Sequence, residues 1–406
     1  MSIFSLPGVP NIHSHAFQRA MAGLAERQAH PEDSFWTWRE LMYRFAGRVT
    51  PESLHDIAAH LYIEMLQAGY TSVCEFHYLH HQADGKPYAE STAMSDALIA
   101  AAGEAGIRLT LLPVLYMSGG FDGRPLSGRQ RRFGYDLDGY LSLLHKLRKQ
   151  EGSRLRVGIA LHSLRALPAA AMRELLSAKP DVPTPIHIHI SEQLAEVEEC
   201  VTVRGARPVE WLMANAAVDD SWTLVHATHL SAAELRQIAG SRAVVALCPT
   251  TEANLGDGLF PLRKFIAAGG RFGIGSDSNV SVSPVEELRW LEYGQRLLSH
   301  QRNIAVTAES SSTGESLVLQ AVAGGRQATG QEGQEQDRVV LDEASVSLAG
   351  AAAADVHDRF VFAGNRNLVK DVFVDGRQVI ESGVHARGAE AASRYRSALR
   401  ALLADS

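Results

Sequence analysis

The sequence predicts an α/β protein, a (β/α)8 TIM barrel carrying a small β-domain on its C-terminal side. Two observations carry that prediction. Eight short runs rich in Val, Ile and Leu alternate with helical or long connecting segments, and most lack the strict alternation of a strand with one wet face. Four of those runs end in clusters of His, Asp or Glu, and barrel proteins gather their reactive groups at the C-terminal ends of their strands. The chain of 406 residues exceeds one barrel of about 250 residues, which leaves room for a second unit.

The strands are expected at Gly8–His13, Thr71–Phe76, Arg108–Leu115, Leu155–Leu161, Thr184–Ile190, Trp222–Ala227, Ala243–Leu247 and Arg271–Gly275. Helical patterns occupy Pro51–Ala68, Ser91–Ala105, Leu137–Arg148, Val209–Ala214, Ala232–Ala239 and Val285–Ser299. Thr50 caps the first of these with a proline in its opening turn, and Gly69 and Gly106 follow helix ends, where a left-handed residue is favoured. The connection from Phe17 to Val49 is long and rich in Phe, Trp and Arg, which reads as a lid or substrate loop.

Past about residue 329 the composition changes. Gln331–Gln336 is polar, Ala349–Ala354 is made of small residues, and Val369–Ile380 sets β-branched runs on either side of Asp375-Gly376, a strong hairpin signal. A closing amphipathic helix puts Ala391, Tyr395, Ala398, Leu402 and Leu403 on one face. The expected division is a catalytic barrel over 1–329, then a remnant of a small β-domain with a C-terminal helix over 330–406. Two or three strands make no stable sheet alone, so they must pack on the barrel, on other strands or on another subunit.

Composition excludes several classes of function. Lys and Arg number 39 against 46 Asp and Glu, for a net charge of −7, whereas a nucleic-acid or anionic-membrane surface needs basic clusters. No apolar run reaches the roughly 20 residues of a membrane span, and Met1–Pro10 lacks the charged and apolar parts of a signal peptide. Cys74, Cys200 and Cys248 are too sparse for a disulfide framework and suit a reducing compartment. The expectation is a cytoplasmic homodimer acting on a small molecule, with neither nucleic acid nor membrane as partner.

The chemistry lies at the strand ends. Strand one ends Asn11-Ile12-His13-Ser14-His15, where alternate side chains share a face and two imidazoles can reach one metal. Strand five reads His187-Ile188-His189-Ile190-Ser191-Glu192, strand six ends at His226 with His229 beyond, and strand eight runs into Gly275-Ser276-Asp277-Ser278. Each has a structural explanation of its own, a core imidazole on a backbone carbonyl or an Asp making an Asx turn. Their coincidence around one barrel mouth points to a mononuclear metal site, suited to Zn²⁺ and compatible with Fe²⁺ or Mn²⁺.

This constellation resembles that of the amidohydrolase superfamily over nearly the whole chain. The resemblance implies a barrel of the metal-dependent hydrolase type, with His13, His15, His189 and Asp277 as metal ligands. His226 would contact the hydrolytic water or the substrate, and Glu192, three residues after His189, would move protons. Strand four has no lysine, so the one-metal deaminase branch fits better than the two-metal members. The blocks Pro10-Asn11-Ile12-His13-Ser14-His15-Ala16-Phe17-Gln18-Arg19, Trp36-Thr37-Trp38-Arg39, Glu75-Phe76-His77-Tyr78 and His162-Ser163-Leu164-Arg165-Ala166 look like those of the formiminoglutamate deiminases of histidine degradation. By that likeness Gln18, Arg39, Tyr78 and Arg165 contact substrate, and two guanidiniums suit a dicarboxylate.

The implied reaction is hydrolysis of N-formimino-L-glutamate to N-formyl-L-glutamate and ammonia. Asp277 would accept a proton, His226 would hold the attacking oxygen or the tetrahedral centre, and Glu192 would protonate the leaving nitrogen. A deaminase of another amidine-like substrate, such as a purine or guanidine, and a non-catalytic metal-binding homologue are the alternatives. The family usually has some forty residues before its H-x-H pair, whereas His13 here follows twelve. The small β-domain is therefore expected to be N-terminally truncated, its C-terminal strands short of partners.

Overall fold

Strand pairing closes a ring. The computed structural model describes residues 2–26, 35–179 and 182–404, with backbone alone for 35–37. After a short strand β1 (Ser5–Pro7), the ring is formed by β2 (Val9–Ser14), β3 (Tyr70–His77), β4 (Arg108–Leu115), β5 (Leu155–Val157) with β6 (Ile159–Ser163), β7 (Ile186–Ile190), β8 (Trp222–His226), β9 (Val244–Leu247) and β10 (Arg271–Ile274). All neighbours are parallel, and β10 pairs back onto β2. β2, β3, β4, β7 and β8 are buried at every position, because the barrel interior covers one face and helices the other.

The predicted fourth strand is interrupted at Gly158. Both halves keep one register on β4, with Leu155 opposite Leu109 and Ala160 opposite Val114. A Cβ on Gly158 would lie 2.5 Å from Leu112 Cδ2 and 2.8 Å from Pro185 O, so close approach of neighbouring strands requires glycine there. The helix Pro51–Ala68 begins with a reciprocal Thr50–Ser53 cap and stops at Gly69, φ 106°. The first connection is more helical than a loop: a 3₁₀ turn spans Ala16–Met21 and a helix spans Phe35–Ala46. Residues 27–34 of that connection lie outside the described residues.

The bottom of the barrel is closed by the helix Thr313–Thr329. A Cβ on Gly324 would meet Phe272 O at 2.0 Å, and one on Gly325 would meet the Pro10 ring at 2.8 Å. The helix backbone thus rests directly on the strands' N-terminal ends. Its last carbonyls accept from Thr110 Oγ1 and pair with His187 Nε2.

The small antiparallel sheet runs β1, β11 (Arg338–Leu341), β12 (Val369–Val374), β13 (Arg377–Ile380). The hairpin turns at Asp375 and Gly376, with φ 54° and 72°, the two left-handed residues of a type I′ turn. The expected shortage of partners is corrected by β1: Ser5, Leu6 and Pro7 pair with Val340, Val339 and Arg338. The sheet therefore draws on both ends of the chain. Arg108, at the start of β4, ties it to the barrel through Asp337 at 2.9 Å and Asp375 at 3.2 Å. The closing helix Gly388–Leu403 buries Ala391, Ala398 and Leu402, while Leu403, expected on the packed face, is exposed. No described helix is long and apolar enough to cross a membrane.

Candidate active site

Four strand ends converge at the top of the barrel. One ligand atom from each of His13, His15, His189 and Asp277 lies within 4.8 Å of the others, and all four residues are buried. Asp277 Oδ1 is 3.4 Å from His13 Nε2 and 3.3 Å from His15 Nε2. At the rear of the rings, His15 Nδ1 meets Phe76 O at 2.8 Å and His189 Nδ1 meets His162 O at 2.9 Å. A carbonyl can only accept, so both protons sit on Nδ1 and both Nε2 lone pairs point inward.

The donor set fits a divalent cation. His13 Nε2 and His189 Nε2 are 3.0 Å apart. Burial pushes His13 down to about 3 despite the pull of Asp277, and burial with the neighbouring imidazoles holds His189 well below its ordinary range. Two neutral rings facing each other at that distance leave lone pairs that a cation would satisfy. Three imidazoles and a carboxylate suit Zn²⁺.

The backbone at these exits adopts left-handed conformations. Ser191, His226, Ala227, Asp277 and Asn279 have φ between 47° and 67°, each costing about 1–3 kcal/mol for a non-glycine residue. Hydrogen bonds offset that strain at Asp277. Its N–H donates to His13 O at 2.9 Å, its O accepts from the His15 N–H at 3.0 Å, and Asn279 Nδ2 donates to the carbonyls of both His15 and Asp277. Asn11 bonds Ser276 from the other strand. These contacts fasten β2 to the turn after β10, so the ligands from both strands move as one piece.

A carboxylate-rich side flanks the metal group. His226 Nε2 lies 3.8 Å from both Glu192 Oε1 and Asp277 Oδ2, and its Nδ1 is 3.3 Å from Glu252 Oε1. Burial alone would lower His226, but Glu192, Glu252 and Asp277 outweigh it and carry it up to about 10. Burial raises Glu192 above the usual carboxylate range, with Asp277 and Glu196 adding to the rise. Asp277 stays well below that range, since His13 and His15 overcome its burial. Two carboxyl groups within reach of one imidazole are thus held in opposite protonation preferences.

The same pocket also carries cationic and aromatic side chains. Arg39 and Arg165 line the same pocket as His15, His189, Glu192 and Asp277. Both guanidinium charges act on His162, which burial and Arg165 hold well below its ordinary value. Arg39 lies 5.5 Å from the centre of the Tyr43 ring. Gln18 Nε2 donates to Tyr78 Oη at 2.8 Å, and the Tyr78 ring meets His15 edge-on at 5.1 Å.

The sequence-predicted residues are therefore brought together: Gln18, Arg39, Tyr78, Arg165, Glu192 and His226 face one pocket with the metal group. The other two histidines singled out are elsewhere. His187, two residues before His189, points to the barrel floor and pairs with Ala328 O at 3.0 Å. His229 sits beside Gly258, off the pocket lining. Sequence reasoning missed His162 as a pocket residue, and it missed Glu252, Glu196 and Tyr116. His162 stands at a strand exit and Glu252 four residues after Cys248, in the helix Pro249–Leu255 that follows β9, signals visible only once the barrel is assumed.

Residues 4–379 match the model of the amidohydrolase family. The chain is 51% identical over 405 residues to the formimidoylglutamate deiminase of Pseudomonas aeruginosa, covering 98% of this chain and 89% of that protein. It is 27% identical to the 5-methylthioadenosine/S-adenosylhomocysteine deaminase 2 of Archaeoglobus fulgidus, over 93% of this chain and 82% of that one. Among solved structures, an amidohydrolase from Brucella melitensis superposes with a TM-score of 0.92 at 46% identity, covering 98% of this chain and 90% of the other.

Proposed function

The chain belongs to the amidohydrolase family, and from that premise we propose that it hydrolyses N-formimino-L-glutamate to N-formyl-L-glutamate and ammonia. The observation that carries the reading is the make-up of one pocket, which holds the guanidiniums of Arg39 and Arg165 together with the metal group, Glu192 and His226. A substrate with two carboxylates and one amidine-like carbon has the complementary polarity. The 51% identical relative named for that activity supports it.

His13, His15, His189 and Asp277 would hold the metal, for which Zn²⁺ is our assignment over Fe²⁺ or Mn²⁺. A bound ion of this kind lowers the pKa of water toward neutrality. Asp277, kept ionised, accepts the proton of the attacking water through Oδ2, the oxygen that faces His226. His226, kept protonated, donates to the oxygen as the tetrahedral centre forms. Glu192, kept protonated by burial, gives its proton to the departing nitrogen of the amidinium and takes back the hydroxyl proton as the carbonyl forms. The proton held on Asp277 leaves with the ammonia as ammonium. Arg39 and Arg165 pair with the substrate carboxylates through forked hydrogen bonds, and Gln18 and Tyr78 bracket the chain between them. The three buried free cysteines support a cytoplasmic setting.

Ammonia release tests the proposal. N-formimino-L-glutamate is expected to turn over, while analogues lacking either carboxylate and 5'-methylthioadenosine do not. Arg39→Ala and Arg165→Ala should each lower kcat/KM by about ten- to a hundred-fold or more, since a charge-assisted pair contributes roughly 1.5–3 kcal/mol. Lysine should rescue only in part, because a point charge lacks the fork. Parental kcat/KM in both alanine variants, or preferred turnover of the nucleoside, would replace this reading with that of a purine deaminase.

A further inference from the structure

Behind the pocket wall made by Tyr78 and Phe133, whose rings meet edge-on at 5.1 Å, lies a second polar group that the proposed reaction does not use. Its centre is Arg132, 1% exposed. Nη2 donates to Val49 O at 3.0 Å, but Nε and Nη1 are buried without a hydrogen-bond partner. No carboxylate of the described residues pairs with it. Its charge falls instead on His77, His80 and His81 and on the half-buried Tyr88 phenol.

Those histidines cannot neutralise it. His80 Nε2 and His81 Nε2 pair with the carbonyls of Val114 and Gly134 at 2.9 and 2.7 Å, so they act as donors. His77 is buried, and its Nε2 has no partner. Burial, with Arg132 beside them, pushes His77 well below its ordinary range and His80 down to about 3, so the rings add no charge of their own. The Tyr135 hydroxyl, on a ring packed against His80 and His81, is also unpartnered. The backbone that bears Arg132 is fixed, since Arg132 O accepts from the N–H groups of both His80 and His81 at 3.1 and 3.0 Å.

A buried guanidinium with two unused N–H groups, surrounded by further donors and neutral rings, lacks an acceptor of negative charge. We propose that Arg132, with His77, binds a small monovalent anion of the halide class, chloride being the physiological one. A single charge matches the one guanidinium. A divalent oxyanion would carry excess charge into a buried, ring-lined place and lose more hydration in entering it. An anion there braces the wall bearing Tyr78 and Phe133 from behind, without touching substrate.

The test holds ionic strength constant and exchanges gluconate for chloride. The parent protein's melting midpoint should rise saturably with chloride, by about 2 °C or more at high occupancy. Arg132→Gln should lose that response, and His77→Phe should need more chloride to reach it. Crystals of the parent soaked in bromide should show anomalous density within hydrogen-bond reach of Arg132 Nε and Nη1. This measurement decides the matter even if Arg132→Gln does not fold. Equal midpoints in chloride and gluconate, a chloride response that survives in Arg132→Gln, or no bromide at Arg132 would each overturn the proposal.

Discussion

His187 and His189 sit two residues apart on the same buried strand, yet they belong to opposite ends of the barrel. His189 reaches the mouth, where its Nε2 faces His13 and its Nδ1 is fixed by His162 O. His187 reaches the floor, where one carbonyl of the helix Thr313–Thr329 satisfies it. The floor is filled and paired: the helix backbone rests on the strands, and Arg108 meets Asp337 and Asp375. The mouth instead carries left-handed residues, unequal carboxyls and a pocket. Identical side chains on one strand thus meet different surroundings by depth alone, a helix carbonyl at the floor and three further candidate metal ligands at the mouth. Position along the barrel axis, rather than residue type, decides what each ring faces.

The sharpest way to break that comparison is to remove each imidazole in turn. His189→Ala should lose bound metal and at least roughly a thousand-fold in kcat, because the ion supplies several kcal/mol of transition-state stabilisation. His187→Ala should keep its metal and its kcat and lose only stability. Metal analysis beside steady-state kinetics reads both. Equal loss of metal in the two variants would abolish the distinction between mouth and floor.

Glu192→Gln tests the mouth next. Losing a general acid should lower kcat by about 10²–10⁴. Since burial raises Glu192, the parent should stay active at neutral pH and lose rate as pH rises through the raised value and the acid form disappears. The variant should lack that alkaline limb. A parental pH–rate profile in Glu192→Gln would assign the proton to another group.

Arg108→Ala tests the floor with the opposite readout. Removing one partner of a buried ion pair costs about 3–5 kcal/mol, seen as a lower denaturation midpoint, with kcat/KM near parental in the folded protein. A large kinetic defect with intact stability would mean that the small sheet reaches the site.

The smallest expected effect is an acid one. Burial lowers His187 from its ordinary 6.5 to about 4, against its bond to Ala328. The unfolded chain therefore takes up a proton below pH 6.5 that the folded protein refuses. Stability is fully present above that pH and falls as pH drops toward 4, by up to about 3 kcal/mol. The difference in unfolding free energy between parent and His187→Gln, followed from pH 7 to pH 5, isolates this contribution because acid loss of metal is common to both. A difference independent of pH would show that His187 titrates normally in the folded chain.

Much of this was legible without coordinates, because it depends on local pattern. Apolar runs alternating with helical periodicities mark the barrel, Asp375-Gly376 marks the hairpin of the small sheet, and the polar residues at the strand exits mark the mouth. Tertiary structure alone decided the rest. The family resemblance already singled out His189, but that His187 turns to the floor and meets Ala328 O depends on strand stagger, which no two-residue periodicity encodes. That Ser5–Pro7 completes the small sheet depends on a pairing more than three hundred residues away in sequence. Glu252 and Asn279 became visible only through bonds to His226, His15 and Asp277, and the uncompensated charge of Arg132 only through burial. A sequence shows which groups a chain possesses and the periodicity of its segments. Which buried groups find partners is settled by long-range packing, since satisfying a donor in the interior depends on whatever the fold places opposite it.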